Sequence, residues 1–463
     1  MSDLTSSPEA AASPALKHNT LKLRHAIIVS IAVMSPISIF FNTIPQAGVV
    51  GAAIPLCYVI GFVIILFVAN QYSEFSRELP SSGSSYTFVN EGLGKNMGYL
   101  TAWFGIVAIV TGIPYTFTLL GVNMEALVLR LFGFDLNWSF WFVLGIGIAF
   151  ALCCWGARQS TNVDLTILVF EIGIALILAA IVLFQVGQKG GLPLAPFTFG
   201  AIPPGGNLGI GLILAILTFI GFEASAALGE ETSNPRRNIP RAVFGSMLLV
   251  GVFYVLMAYT GTVGYGLDKM VTGFANDPAP YDTISRHFSG PVLAVLVDIA
   301  GVLAYFSAAI AIINSGARII YTVGHDGLFP RWTAWLHPTR FTPVGAIAAI
   351  CVLGLAVGLI AGFAMQPLVA FGFWGTLSAL FVMLIYVLVC VASITFFWRK
   401  RRTQFNILRH GISPILGTIT LGIVFVLLLT APASPPLNAI PFILGIWILL
   451  GLIMLFILRR KLA

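Results

Sequence analysis

FIGFEASAALGEETSNPRRNIPRAV, Phe219 to Val243, contains one residue that a membrane reading must account for. Glu223 stands in a run with no other charge between Leu208 and Gly229. A carboxylate facing hydrocarbon costs about 2.5 kcal/mol or more, so an acidic residue inside a spanning helix marks a functional position by default. Composition makes the membrane reading unavoidable. The 463 residues are 58% hydrophobic and only 9% charged, with a mean hydropathy of +0.97. Soluble domains carry about 25% charged residues.

Working outward from that run, the apolar segments predict an all-α integral membrane protein of about twelve transmembrane helices, at 26–48, 52–70, 98–120, 138–156, 163–186, 207–228, 241–265, 291–313, 343–362, 368–397, 412–430 and 438–458. Period-two alternation is absent, which argues against a barrel. The net charge of +7 is a topology signal rather than a nucleic-acid one. With the N-terminus inside, all but four of the 24 Lys and Arg residues fall in cytoplasmic segments, the exceptions being Arg130, Lys189, Lys269 and Arg286. That bias predicts a multi-pass protein of the cell (inner) membrane with both ends cytoplasmic. The polar stretch 1–25 reads as a cytoplasmic tail without a signal core. All five cysteines fall inside predicted spans, with no disulfide framework and no metal spacing.

Two spans carry interruptions. The first contains VMSPISIFF with Pro36 near its middle, and the sixth contains FIGFEAS with Gly221 near its middle. Proline removes a backbone donor and clashes with the preceding turn, and glycine weakens a helix through backbone entropy. Five helices separate spans one and six, as a five-plus-five inverted repeat requires. A weaker echo links 84–94 to 279–290, both readable as short interfacial helices. Deep ionisable residues are few: Glu171 in span five, Glu223 and Asp298. Glu125 and Asp164 lie close enough to predicted span ends to reach water. A carboxyl at the depth of Glu171 is costly as an anion, which suits it to carrying a proton during transport. Glu223, beside the break at Gly221, can accept freed backbone N–H groups and shape a pocket. Tyr115, Asn314 and Trp374 are further pocket positions. No HExxH, GxSxG or nucleotide-binding loop is present, so an enzyme is not expected.

Four segments together resemble the amino acid–polyamine–organocation (APC) transporters: the opening stretch, SEFSRELPSSGSSYTFVNEGLGKNMGYLTAW, GARQSTNVDLTILVFEIGIAL, and NSGARIIYTVGHDGLFPRWTAWLHPTRFTPVGA. The resemblance implies a LeuT-like five-plus-five inverted repeat over 26–400, two additional helices within 401–463, and alternating access around a midplane site. It implies a secondary active transporter for amino acids, with coupling to protons expected, and a polyamine or other organic-cation (putrescine-like) carrier, or an amino acid exchanger, as the alternative. It also implies the binding positions: Ser35, Pro36, Ile37 and Ser38 for a substrate carboxylate, Phe219, Ile220 and Gly221 for an amine, with Glu223 as the family's acidic residue. Two departures stand out. PISIF replaces the Gly-Ser-Gly run of many members, and Ser-Pro pairs at this spot resemble some putrescine importers. Glu171 falls where several proton-coupled relatives carry lysine, so its oxygens suit either H+ or Na+. No cofactor and no nucleic-acid partner are expected; the implied partners are a small-molecule amino acid or amine and membrane lipid, with oligomeric state open.

Overall fold

The computed structural model describes residues 20–430 and 435–462; the tail expected over 1–25 lies outside them up to residue 19. Among the described residues, eleven helical runs are long and apolar enough to cross a membrane. The first, Leu23–Glu78, has 56 residues, about 84 Å at 1.5 Å per residue, far more than the ~30 Å hydrocarbon core. It turns at Gly51, whose φ is 57°, and so contains two crossings, giving the expected twelve.

Span one consists of Leu23–Met34, a 3-10 turn Pro36–Ser38, and Ile39–Val50; span two is Ile54–Glu78. Spans three, four and five are Lys95–Phe132, Trp138–Trp155 and Ala157–Gly190. Span six runs as a helix over Leu208–Thr218 and resumes as a 3-10 helix over Phe222–Leu228. Spans seven to ten are Pro235–Tyr265, Pro291–His325, Val344–Met365 and Pro367–Lys400. Span eleven is Ser413–Thr430, entered through a π-helical turn Ile407–Ile412, and span twelve is Ile440–Leu462. The two expected interfacial helices are present as Ser85–Leu93 and Pro280–Ser289. We call the end of the bundle where span one begins the near face and the other end the far face.

In lipid, helices associate through close packing rather than hydrophobic transfer, so small residues mark the contacts. Gly354, Gly358 and Gly362, one turn apart on span nine, lie against Ile113, Phe142 and Trp138, where any Cβ would come within 2.5 Å of a side-chain atom. Span twelve is clasped differently. The indoles of Trp103 and Trp447 stack at 4.6 Å, and each N–H donates to the other residue's carbonyl, at 3.0 and 3.2 Å.

One expectation needs correction. Asp164 does not reach water: it is 0% exposed. Span five begins at Ala157, not at 163, so Asp164 sits about two turns inside the helix and faces span eight, where Ser307 donates to its Oδ1 at 3.1 Å.

Candidate substrate site

Span one breaks at Ser35, which takes a left-handed backbone (φ 48°) just before Pro36. Its N–H still closes the first half-helix onto the carbonyls of Ile31 and Ala32, both at 3.0 Å. Span six breaks after Thr218, with Gly221 at φ 116°. A side chain there would be strained, and a Cβ would also lie 2.4 Å from Val33 of span one. Glycine is therefore required both by conformation and by the close approach of the two breaks.

Tyrosines from distant spans hold the broken ends. The hydroxyl of fully buried Tyr254, on span seven, lies 2.6 Å from Met34 O and 3.1 Å from Thr218 O, so its one proton is shared between a carbonyl on each side of the breaks. Ser30 Oγ donates to Phe222 O at 2.7 Å and accepts from the Ser225 N–H at 3.0 Å, tying the near half of span one to unwound span six. Glu223 folds back on its own break. Its Oε2 accepts from the Gly221 N–H at 3.1 Å and from the Tyr386 hydroxyl of span ten in a short contact.

Between the breaks lies a cavity of about 440 Å³ bounded by spans one, two, three, six, eight and ten. Ser35, Ser38, Ile220, Gly221 and Glu223 line it, whereas Pro36, Ile37 and Phe219 do not. Pro36 and Ile37 are buried, and Phe219 packs edge-on against Tyr254 at 5.1 Å. Tyr115 is a liner, stacked on Phe371 at 4.8 Å. Asn314 and Trp374 are not among the liners; Asn314 instead donates to Ser160 Oγ at 2.9 Å. Glu223 is the one ionisable acid or base of the Asp, Glu, Lys, Arg or His type on the cavity wall among the described residues. Sequence reasoning missed Tyr72, Tyr305 and Tyr386, which add phenol faces to the wall; a tyrosine in a span carries no local sign of which way it points.

The backbone at the span-one break has little left to offer an anion. Pro36 has no N–H, the Ser35 amide is engaged as above, that of Ser38 bonds Ser35 O at 2.7 Å, and that of Ile39 turns to Ile37 O. Of these five positions only Ile37 keeps an amide without such a bond. Opposite it, the half-helix Leu208–Thr218 directs its C-terminal, electronegative end at the cavity.

Glu171 lies outside the cavity wall. It is 0% exposed, and neither carboxyl oxygen has a hydrogen-bond partner among the described residues. Its helix packs against Leu23–Met34 and the turn Pro36–Ser38 of span one, and against span eight.

At the near face, Arg318 of span eight is buried with Glu231 of the loop after span six, Nε to Oε1 at 2.5 Å, and it also donates to Asn314 O. That loop pairs with the start of the described chain through Leu21 N–H to Glu231 O at 3.0 Å and Ser233 N–H to Leu21 O at 2.8 Å. At the far face, Phe40 stacks on Tyr281 of the short helix Pro280–Ser289 at 3.9 Å. Arg130 joins Asp298 at 2.5 Å and Asp282 at 3.7 Å, so Asp298 is an ion-pair partner there.

Two broken spans facing each other across a cavity, in a twelve-crossing all-α bundle, define a transporter of the LeuT-like inverted-repeat class. The amino acid permease family model matches residues 25–461, and the chain belongs to that family. It is 25% identical over 451 residues to the low-affinity putrescine importer PlaP of Escherichia coli K12, covering 94% of this chain and 92% of that protein. It is also 25% identical over 442 residues to the branched-chain amino acid permease BcaP of Bacillus subtilis 168, covering 91% and 89%. Among solved structures, MhsT in complex with L-phenylalanine superposes with a TM-score of 0.64 at 14% identity, over 89% of this chain and 99% of that one. That likeness is one of fold.

Proposed function

We propose that this protein imports an organic amine that lacks an α-carboxylate, a diamine of the putrescine type, by proton-coupled alternating access across the cell (inner) membrane, with both chain ends in the cytoplasm. One observation carries the reading: the cavity offers a carboxylate for a cation, while on its wall at the span-one break the donor left for an anion is the unpartnered Ser35 hydroxyl rather than a row of free amides. The Oε2 atom of Glu223 is occupied by Gly221 and Tyr386, while its other oxygen takes no bond from another described residue, which suits it to an ammonium group. Tyrosine faces on the wall add cation–π attraction of about 0.5–2 kcal/mol. The putrescine importer among the relatives supports the same reading. The branched-chain permease supports the alternative, an amino acid held by its ammonium at span six and its carboxylate at the span-one break, where the Ser35 hydroxyl lines the wall.

Residues 26–400 form the transport core in this reading, with 401–463 as an added pair of helices. Ser35, Pro36 and Gly221 serve as the hinge points. Glu171 carries the coupling proton, since a buried carboxyl without partners gains most from binding a cation as small as H+.

Uptake into proteoliposomes tests this. With the interior about one pH unit more alkaline and the membrane potential clamped, one coupled proton supports up to about tenfold accumulation of labelled putrescine. The expected result is that accumulation, and its loss in Glu171→Gln with exchange at equal pH retained. Accumulation of leucine but not putrescine would overturn the substrate assignment, and undiminished accumulation in Glu171→Gln would overturn the proton carrier.

A further inference from the structure

Asp164 and Glu171 are seven residues apart on span five, so they share its inner face, about 10 Å apart along the axis. Both are 0% exposed. Asp164 uses only Oδ1, for Ser307; its Oδ2, like both oxygens of Glu171, has no hydrogen-bond partner among the described residues. Leaving one buried carboxyl oxygen unanswered costs about 1–3 kcal/mol and more if charged, and here three are unanswered on one helix face. A structural clamp would explain Oδ1 but not Oδ2.

The seam between spans five and eight continues in polar groups from Asp164 to the near face. One turn below it, Ser160 Oγ accepts from Asn314, the Asn314 carbonyl accepts from Arg318, and Arg318 pairs with Glu231. In the opposite direction span five meets the short far-face helix at Gln185, which donates to Phe288 O at 2.9 Å. The aspartate thus stands between Glu171 and the near-face surface.

We propose that Asp164 is a second proton-carrying carboxyl, and that the coupling proton passes between Glu171 and the near-face solution by way of Asp164. The proposal rests on the reading that Glu171 carries that proton. The proton leaves the Glu171 carboxyl, which becomes a carboxylate; Asp164 Oδ2 receives it and then yields it to water past Ser160 and Asn314. Ten ångströms exceeds direct hydrogen-bond reach, so about two water molecules, entering as the near face opens, bridge the carboxyls. Occlusion of the near face then breaks the relay and keeps the proton on Glu171, which ties proton release to the same opening that releases substrate.

The other groups that bear on this seam can be named. Span eight brings Arg318, already paired with Glu231, and Tyr305. Span four brings Cys153, whose thiol donates to Ile310 O at 3.8 Å. Span seven brings Tyr254, committed to the two breaks, and span one brings His25 near Arg158 at the entry of span five. The Pro280–Ser289 helix carries Asp282, Arg286 and His287, at the far-face end. Among these groups, Asp164 is the one with an open acceptor between Glu171 and the near face.

The test uses the full-length protein in proteoliposomes under an inside-alkaline gradient of about one pH unit, with labelled putrescine and labelled leucine run side by side. In Asp164→Asn, accumulation of whichever compound the parent concentrates is expected to fall from about tenfold to about onefold, while exchange at equal pH stays within about twofold of the parent. Ser307→Ala, which removes only the Oδ1 donor, is expected to keep accumulation. If Asp164→Asn accumulates like the parent while Glu171→Gln does not, the relay is wrong and the Glu171 assignment stands. If Glu171→Gln itself accumulates like the parent, the underlying reading fails and the relay with it. If Asp164→Asn and Ser307→Ala lose accumulation and exchange alike, Asp164 is a clamp between spans five and eight and the proposal is overturned.

Discussion

Replacing Glu223 with Gln is expected to weaken diamine binding by about 2–5 kcal/mol, the cost of removing one partner from a desolvated charged pair, or at least about 30-fold in Kd. The substitution is conservative toward the fold. A Gln side-chain oxygen can still accept from the Gly221 N–H and the Tyr386 hydroxyl, the two bonds that hold Oε2, so the break in span six keeps its clamp. What disappears is the one Asp or Glu carboxyl on the cavity wall among the described residues, the group able to pair with an ammonium. Titration calorimetry of the purified variant checks this, with the unliganded melting temperature as the control for folding. An affinity within threefold of the parent in a variant of unchanged stability would remove Glu223 from substrate recognition.

The second large effect is structural. Arg318→Met should destabilise the protein by about 3–5 kcal/mol, because it leaves Glu231 buried as an uncompensated charge. The side chains of the pair are 3% and 7% exposed, so water cannot take over the role of the guanidinium. Replacing both partners, Arg318→Met with Glu231→Leu, should recover most of the loss, since an apolar pair of similar volume is often neutral relative to a buried ion pair. Thermal unfolding in detergent of the two single variants and the double variant gives the coupling directly. A single Arg318→Met variant as stable as the parent would mean that Glu231 finds another partner.

Much of this architecture is legible in the chain because it depends on local chemistry. Pro36 and Gly221 announce the two breaks, one by lacking a donor and the other by permitting φ 116°, and twelve apolar runs announce the crossings. Ser35 is expected from the sequence as a carboxylate-binding position beside Pro36, not as the left-handed residue of the break, because serine carries no backbone preference strong enough to say so. Tyr254 and Tyr386, which answer the freed groups, were not legible at all. Their partners lie 220 and 163 positions away in sequence, and a buried tyrosine reads like any other core aromatic until the helices are assembled. The same limit explains Asn314 and Trp374, whose helix faces periodicity could not assign in spans apolar all round. Asp164 is expected near water for a simpler reason: polar residues Arg158 to Asn162 resemble a loop, yet they form the first turns of span five, with Ser160 and Thr161 buried and Arg158, Gln159 and Asn162 exposed.

The identity of the cargo rests on whether the span-one break still holds a carboxylate, and one matched pair of ligands isolates that question. Lysine and 1,5-diaminopentane differ by the carboxylate alone. Titrating both into the purified protein, the account predicts that the diamine binds more tightly, by about 1–3 kcal/mol, because lysine must bury a carboxylate with little at the span-one break beyond the Ser35 hydroxyl to receive it. Tighter binding of lysine would show that the break still cradles a carboxylate, and would contradict the account at its centre.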